Sequence, residues 1–416
     1  MTVAVSRGGL RALLSCDAFV RLWAIGGCVN TMRWFETLAA ALFTFDMTGS
    51  GLDVAIVSAA RTMPMFLLGA FSGVVTEALD RKRVLLAGQI ITCLASASIA
   101  ALAWLHLARP WHVAVAAFAA GIVWSTEMAT RRRMVGESVE GPLVSRGLAL
   151  DTMSNSFTRL LGPVFAGTIY QGLGLGGCFT ASASVYALAA ILAIGVRYHQ
   201  TPRPLVLGHV PRDLAEGVRY VRRDVVIGGV LMVTIVMNLL GFPYSALIAP
   251  IGRDVFDVSP TLVGVLAAAE SFGGFLGGAW LTSREPRING RILMVGGSAI
   301  YMACVFGMPL APSFWVACLL LTAGGFGSAA FANMQTSLIV LHTPATIRSR
   351  LMGLLTVCIG MGPLGILLVG TIADFSGPLH AITLTAGIGF TLVVLCGLVW
   401  RRRERRAGRE SMTGSG

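Results

Sequence analysis

Apolar runs, each close to the thickness of a bilayer and broken by proline, glycine or charge, dominate the chain from residue 22 to residue 400. A membrane-crossing helix needs about 20 mostly apolar residues. Twelve stretches meet that need: 22–45, 54–77, 84–106, 111–130, 148–171, 177–196, 226–248, 260–282, 291–309, 313–334, 351–373 and 380–400. The pattern predicts an all-α polytopic membrane protein with 12 transmembrane helices. The first run is too long and too polar in its middle for a cleavable signal, so it is expected to stay as a span.

The pattern also repeats. "RGLALDTMSNSFTRLLGPVFAGTIYQGLG" in the fifth run resembles "RSRLMGLLTVCIGMGPLGILLVGTIADFSG" in the eleventh, and the dipeptides Gly162-Pro163 and Gly362-Pro363 occupy matching places. Two pseudo-symmetric six-helix bundles are expected, residues 1–196 and 226–400, related as parallel repeats. Residues 197–225 form a basic linker whose "PRDLAEGVRYVRRD" reads as an amphipathic helix at the membrane surface. Residues 401–416 form a basic tail.

Composition agrees with lipid as the main solvent: 55% of the 416 residues are hydrophobic and only 12% charged, against about a quarter charged in soluble domains. The net charge of +12 would suggest nucleic acid, but the placement of the arginines argues against that. Twenty-seven of the 32 basic residues fall in the segments that an even span count puts on one side, including Arg131, Arg132, Arg133 and the tail. That is the bias of cytoplasmic loops. Each cluster reads as a cytoplasmic anchor. Both termini are expected inside a cytoplasmic (inner) membrane, with the lipid bilayer as partner and no nucleic acid. Neither cysteine nor histidine spacing suggests a metal site or a disulfide framework. Trp23, Trp111, Trp315 and Trp400 sit near span ends and read as interfacial anchors.

Four local signals resemble the major facilitator superfamily over nearly the whole chain. "GVVTEALDRKRVL" follows the second span, with Gly73 in place, Glu77 where Asp is usual and Asp80 where Gly is usual. "LLGPVFAG" resembles the Gly-Pro element of proton-antiporting exporters. "DLAEGVRYVRR" and "IRSRLMGLLTVCIGMGPLGILLVGTIADFSG", with "DMTGS" after the first span, resemble the drug- and siderophore-exporting subgroup that includes enterobactin and macrolide exporters. The resemblance implies a central cavity lined by the first, fourth, seventh and tenth spans, and alternating access by rocking of the halves.

A charge at mid-membrane costs about 2.5–3.5 kcal/mol, so it is expected to have a partner or a task. Glu36 lies in the first span three residues after Arg33, where the two can share a face, with Asn30 and Thr37 on the same stripe. The pair is either a fixed salt bridge or a proton-coupling site in which Arg61 joins; glutamine at 36 is expected to remove coupling and leave folding intact. Glu127 precedes Arg131 by four residues, as a structural pair or a proton site at the cavity mouth. Trp34, Trp124, Asn238, Phe242 and Asn333 are further cavity candidates, with core packing and helix–helix glue as their alternatives; Gln335 is read with Asn333. Asp151, Asn155 and Arg159 line one face of the fifth span and are assigned to the interface between halves, with a substrate contact as the alternative, and Glu270 to a gate or to coupling, either neutral or paired with an arginine of the other half. Glu77, Asp80, Arg81 and Arg83 read as a cytoplasmic latch, with Gly73, Gly162 and Pro163 as conformational elements.

These readings favour a proton-coupled exporter of a small amphipathic compound such as a siderophore or drug. The alternatives are an importer of a small nutrient and a lipid or lysolipid flippase. No cofactor beyond the proton motive force is expected, and a monomer is. No nucleophile–histidine pairing, nucleotide loop or metal spacing points to an enzyme.

Overall fold

The computed structural model describes residues 7–141, 143–198, 210–222, 224–283 and 289–413; the side chains at 7–10, 70–78, 129, 210–214, 345–346 and 405–413 lie outside the described set. The described residues hold helices and no strand. Six helices precede the linker: α1 (Arg7–Leu14), α2 (Asp17–Thr48), α3 (Gly51–Ala78), α4 (Arg81–Trp104), α5 (Pro110–Glu137) and α6 (Leu143–Ile194). The linker contributes α7 (Val210–Val221). Then come α8 (Val225–Val236), the short α9 (Ile248–Pro250), α10 (Pro260–Ser283), α11 (Gly290–Gly307), α12 (Phe314–His342), α13 (Ala345–Gly360) and α14 (Gly362–Thr413).

Among the described residues, nine helical segments are long and apolar enough to cross a membrane. Two of them, Leu143–Ile194 and Ile347–Glu404, run 52 and 58 residues, more than twice the length of about 20 that a crossing needs. Glycine breaks both. Gly174 has φ 61° inside α6 and Gly377 has φ 83° inside α14. A side chain at either would strain against the left-handed backbone that turns the chain there. The 32-residue α2 is outside the nine; it carries Asp17, Arg21, Arg33, Glu36 and Asp46.

Two expected spans differ in form. Residues 226–248 are not one regular helix: after α8 the chain becomes a π-helix at Met237–Gly241 and a 3-10 helix at Phe242–Leu247. Pro243 and Pro250 lack the amide donors that α-helix continuation requires. The expected run 351–373 is broken between α13 and α14 at Met361, beside Pro363.

Packing is close. α2 lies against α6, α3 against α5, α4 against α6, α10 against α12 and α11 against α12. α10 also packs on α6, and α14 on α3. A Cβ at Gly273 would overlap the Thr322 carbonyl, and one at Gly325 the Glu270 carbonyl. Small residues at such crossings let membrane helices meet backbone to backbone. The long exposed apolar surface, including Leu94, Ile191, Leu319 and Phe375, is what a lipid-facing exterior presents. Trp111 and Trp315 are exposed as anchors require. Trp400 is not; it is buried against Gly229.

Candidate functional site

Glu36 projects from α2 into the space between α3, α4, α5 and α6 and is 3% exposed. Arg61 Nη1 donates to its Oε2 at 3.1 Å. Ser96 Oγ and Ser182 Oγ donate to its Oε1 at 2.6 and 2.5 Å. The carboxylate is thus paired and hydrogen-bonded on both oxygens, the condition under which a buried charge is tolerated. Beside it lies a pocket of about 280 Å³ walled mainly by Ala40, Ala95, Ala116, Ala117 and Ala120. Gly121 brings α5 onto the backbone of α3 at the Arg61 carbonyl, where a Cβ would overlap it. Replacing Ser182 with alanine removes one donor to an anion. It is expected to lower stability by about 1.5–3 kcal/mol, read as a lower thermal midpoint of the purified protein.

The expected pairing of Glu36 with Arg33 does not form. Residues at i and i+3 start on one helix face, but the long Arg33 side chain swings to α5 and stacks 3.5 Å above the Trp124 ring centroid. It also lies 5.0 Å from the Trp34 ring. Thr37 hydrogen-bonds back to the Arg33 carbonyl rather than extending the polar stripe.

A second centre is built on Arg131, which sequence read both as a cytoplasmic anchor and as the partner of Glu127. It is buried and donates through both terminal nitrogens to Asp151, at 2.5 and 3.4 Å. Its Nε is 4.0 Å from Glu127 Oε1. One guanidinium therefore serves two buried carboxylates, from α5 and α6. Asp151 is used inside the first six helices and not between the two halves of the chain. Gln89 on α4 is buried.

The third centre joins α6 to α10. Arg159 Nη2 donates to Glu270 Oε1 at 3.1 Å, and Tyr244 donates to Oε2 at 2.6 Å. Arg159 also lies 4.8 Å from the Trp34 ring. Glu270 has its arginine, 111 residues away in the chain.

Against the second centre, at the arginine-rich end of α5, opens a cleft of about 430 Å³. Asn30, Arg33, Trp124, Glu127, Arg132 and Asn155 are among its walls. At the opposite end, by the Gly174 and Gly377 kinks, three polar contacts cross between the two parts of the chain. Arg253 donates to Asp46 at 3.2 Å, Thr261 to Gln171 at 2.7 Å, and Ser50 to Asp374 at 2.9 Å. Tyr170 adds a second donor to Asp46 at 3.0 Å.

Other expected residues have local roles. Asn238 and Asn333 donate to carbonyls four residues back, those of Thr234 and Ala329, and Gln335 bonds the Thr234 hydroxyl across helices. Phe242 packs on Tyr301 and Phe331. Asp80 caps α4 by accepting from the Arg83 amide at 3.1 Å. Arg81 is buried and reaches Glu137 and Tyr198, not the acids beside it. Burial, with the hydrogen bond to Glu137, pushes the Tyr198 phenol up. Gly162 meets the Thr31 carbonyl and the Trp34 Cβ, and the Pro163 carbonyl faces Gly264. Gly73 and Glu77 lie in the part of α3 whose side chains are outside the described set.

Sequence and structure comparisons agree with one another. Residues 9–413 match the family model described as transmembrane secretion effector, of the major facilitator superfamily. The multidrug efflux pump Tap of Mycolicibacterium fortuitum is 25% identical over 83% of this chain and 86% of its own. Macrolide efflux protein A of Streptococcus pyogenes is 19% identical over 92% and 95%. In fold, the chain is similar to the POT family transporter PepTSo, with a TM-score of 0.75 at 11% identity over 94% and 98% of the two chains. It is also similar to a bacterial homologue of the lysosomal transporter Spinster, with a TM-score of 0.70 at 15% identity over 92% and 95%.

Proposed function

The chain belongs to the transmembrane secretion effector family of the major facilitator superfamily, and on that footing we propose that it is a proton-coupled exporter of small amphipathic organic compounds, drug-like or siderophore-like. The observation that carries this reading is the contrast between the two ends of the molecule. The end bearing the Gly174 and Gly377 kinks is held shut by the Asp46, Gln171 and Ser50 contacts. The arginine-rich end holds a cleft lined by charged, amide and indole groups. A cleft reached from one side only is half of an alternating-access cycle.

Twelve spans follow if α6 and α14 each supply two at their glycine kinks, α13 joins the first part of α14, and α2 crosses despite its charges. Six then precede the linker and six follow it. The two Gly-Pro elements each bring a glycine onto the first span of their half, although not at the same position, since Gly362 itself meets nothing within 4 Å. Gly162 packs on α2, and Gly365 packs on the Leu239 carbonyl of the irregular segment after α8. With the arginine-rich ends in the cytoplasm, both termini are cytoplasmic, the cleft faces the cytoplasm of an inner membrane, and a monomer is sufficient. Glu36 with Arg61 is the proposed coupling pair. In the state seen here its carboxyl is clamped by Arg61, Ser96 and Ser182, and a proton taken up there would weaken the hold on Arg61. Arg33 acts from the cleft and not on Glu36.

The direction is testable in cells that express the chain. Expression is expected to lower the accumulation of an amphipathic, drug-like compound without a cationic group, and a protonophore is expected to restore it. Higher accumulation on expression would indicate uptake. Lower accumulation that survives the protonophore would remove proton coupling.

A further inference from the structure

Arg33 is the unusual group in the cleft. Of the other arginines, Arg61 on α3, Arg131 on α5 and Arg159 on α6 each face a carboxylate. Among the described residues Arg33 has no ion pair and donates no hydrogen bond. Its flat face is occupied by the Trp124 indole at 3.5 Å, with Trp34 at 5.0 Å. Stacking uses the face of a guanidinium and leaves its edge. The N–H groups on that edge lie in a fixed fork that matches a carboxylate, sulfonate or phosphate. Here they line the cleft. An unpaired guanidinium inside apolar helices is costly, so a ligand that supplies the missing anion gains more from it than it would in water.

The surroundings specify the remainder of the ligand. Of the indoles that hold Arg33, Trp124 lines the cleft and adds apolar surface to it, and Asn30 and Asn155, with no side-chain hydrogen bond among the described residues, are free to read polar substituents. The cleft contains Arg33, Arg131 and Arg132 against Glu127 and Asp151. With both acids ionised, that set is short of one negative charge. Trp34 is bracketed by Arg33 and Arg159, so its ring lies in a positive field that repels an organic cation.

We infer that Arg33, stacked on Trp124 and Trp34, is an anion-binding fork that selects aromatic organic anions as ligands of this cleft. The anionic group takes the guanidinium edge, and the ring lies along the Trp124 indole. This rests on the transport reading only for its consequence; the binding stands or falls separately.

Two dyes of similar xanthene shape and opposite charge test it: fluorescein, with its carboxylate ionised, and tetramethylrhodamine methyl ester, a cation. Binding is read by fluorescence anisotropy with the full-length purified protein. Wild type is expected to bind fluorescein at least about tenfold more tightly than the cation, the scale of one charge-assisted bidentate contact. Arg33→Gln is expected to erase that preference, by weakening fluorescein binding and, as the positive field at Trp34 falls, strengthening that of the cation. Arg33→Lys keeps the charge but loses the planar fork, and is expected to recover only part of the preference. If Arg33→Gln does not fold, Trp124→Leu, which removes the stacking platform, is expected to reduce the preference in the same direction. A wild-type preference for the cation, or a fluorescein affinity indifferent to both substitutions, overturns the inference. Flux in proteoliposomes is scored separately. Fluorescein binding without flux sinks the exporter reading and leaves the fork; flux of the cation alone does the reverse.

Discussion

Glu36→Gln is expected to abolish transport driven by a pH gradient and to lower stability by about 3–5 kcal/mol, the cost of leaving one member of a buried ion pair alone. Sequence alone suggested a loss of coupling with folding intact. The structure changes the second half of that expectation. Both oxygens of Glu36 accept from donors, one of them the Arg61 cation, whose side chain is only 12% exposed. An amide in place of the carboxylate keeps one acceptor, turns the other into a donor facing donors, and leaves Arg61 uncompensated. The informative chain is therefore Glu36→Gln/Arg61→Gln. Removing both charges together is expected to recover most of the lost stability. Transport is expected to stay absent, because no titrating group is left at that place. Thermal midpoints and substrate accumulation in proteoliposomes under an imposed pH difference give the two readouts. If transport returns with stability, Glu36 is a structural counter-ion and the proton is carried by another carboxylate.

The helices were legible because a bilayer demands length and apolarity, and few other environments do. The kink positions were legible too, since each glycine-rich turn after a Gly-Pro element separates two apolar runs. Glu270 has no local base in its span, which leaves it either neutral or paired with a distant arginine; the fold supplies Arg159. The identities of the partners were another matter. Spacing along α2 favoured Arg33 for Glu36, yet Arg61 on the next helix is the partner, and Arg33 finds an indole on α5. Spacing gives the face a residue starts on; it does not give where a side chain with four rotatable bonds ends. Ser96 and Ser182 each look like ordinary helix–helix glue in their apolar runs. Only the fold brings both to one carboxylate oxygen. The burial of Arg131 was hidden by its neighbours. In a run of three arginines the surface reading suits Arg132 and Arg133, which are exposed, and fails for Arg131, which is buried.

Gly264→Leu, and equally Gly167→Leu, is expected to cut transport by about 100-fold, the result of shifting a two-state equilibrium by about 3 kcal/mol. Gly167 on α6 faces the Pro260 carbonyl, and Gly264 on α10 faces the Pro163 carbonyl; a Cβ at either would overlap backbone. Side chains can turn aside, but a carbonyl fixed in a helix moves only if the helix moves. Overpacking of this kind typically costs about 1–3 kcal/mol, and here the cost falls on the closed arrangement of that end alone. The helices must part where Arg253 holds Asp46 and Thr261 holds Gln171, so those contacts are lost with them. A cysteine at position 50, introduced by Ser50→Cys beside Asp374, then reports the change. Its labelling by a membrane-impermeant maleimide from outside the cell is expected to rise in the leucine variants. Gly278 is the control, on the same helix with nothing within 4 Å of a Cβ; Gly278→Leu is expected to alter neither labelling nor transport. Loss of transport without a rise in labelling would mean that the glycine contact stabilises the fold and does not seal one end of the pathway.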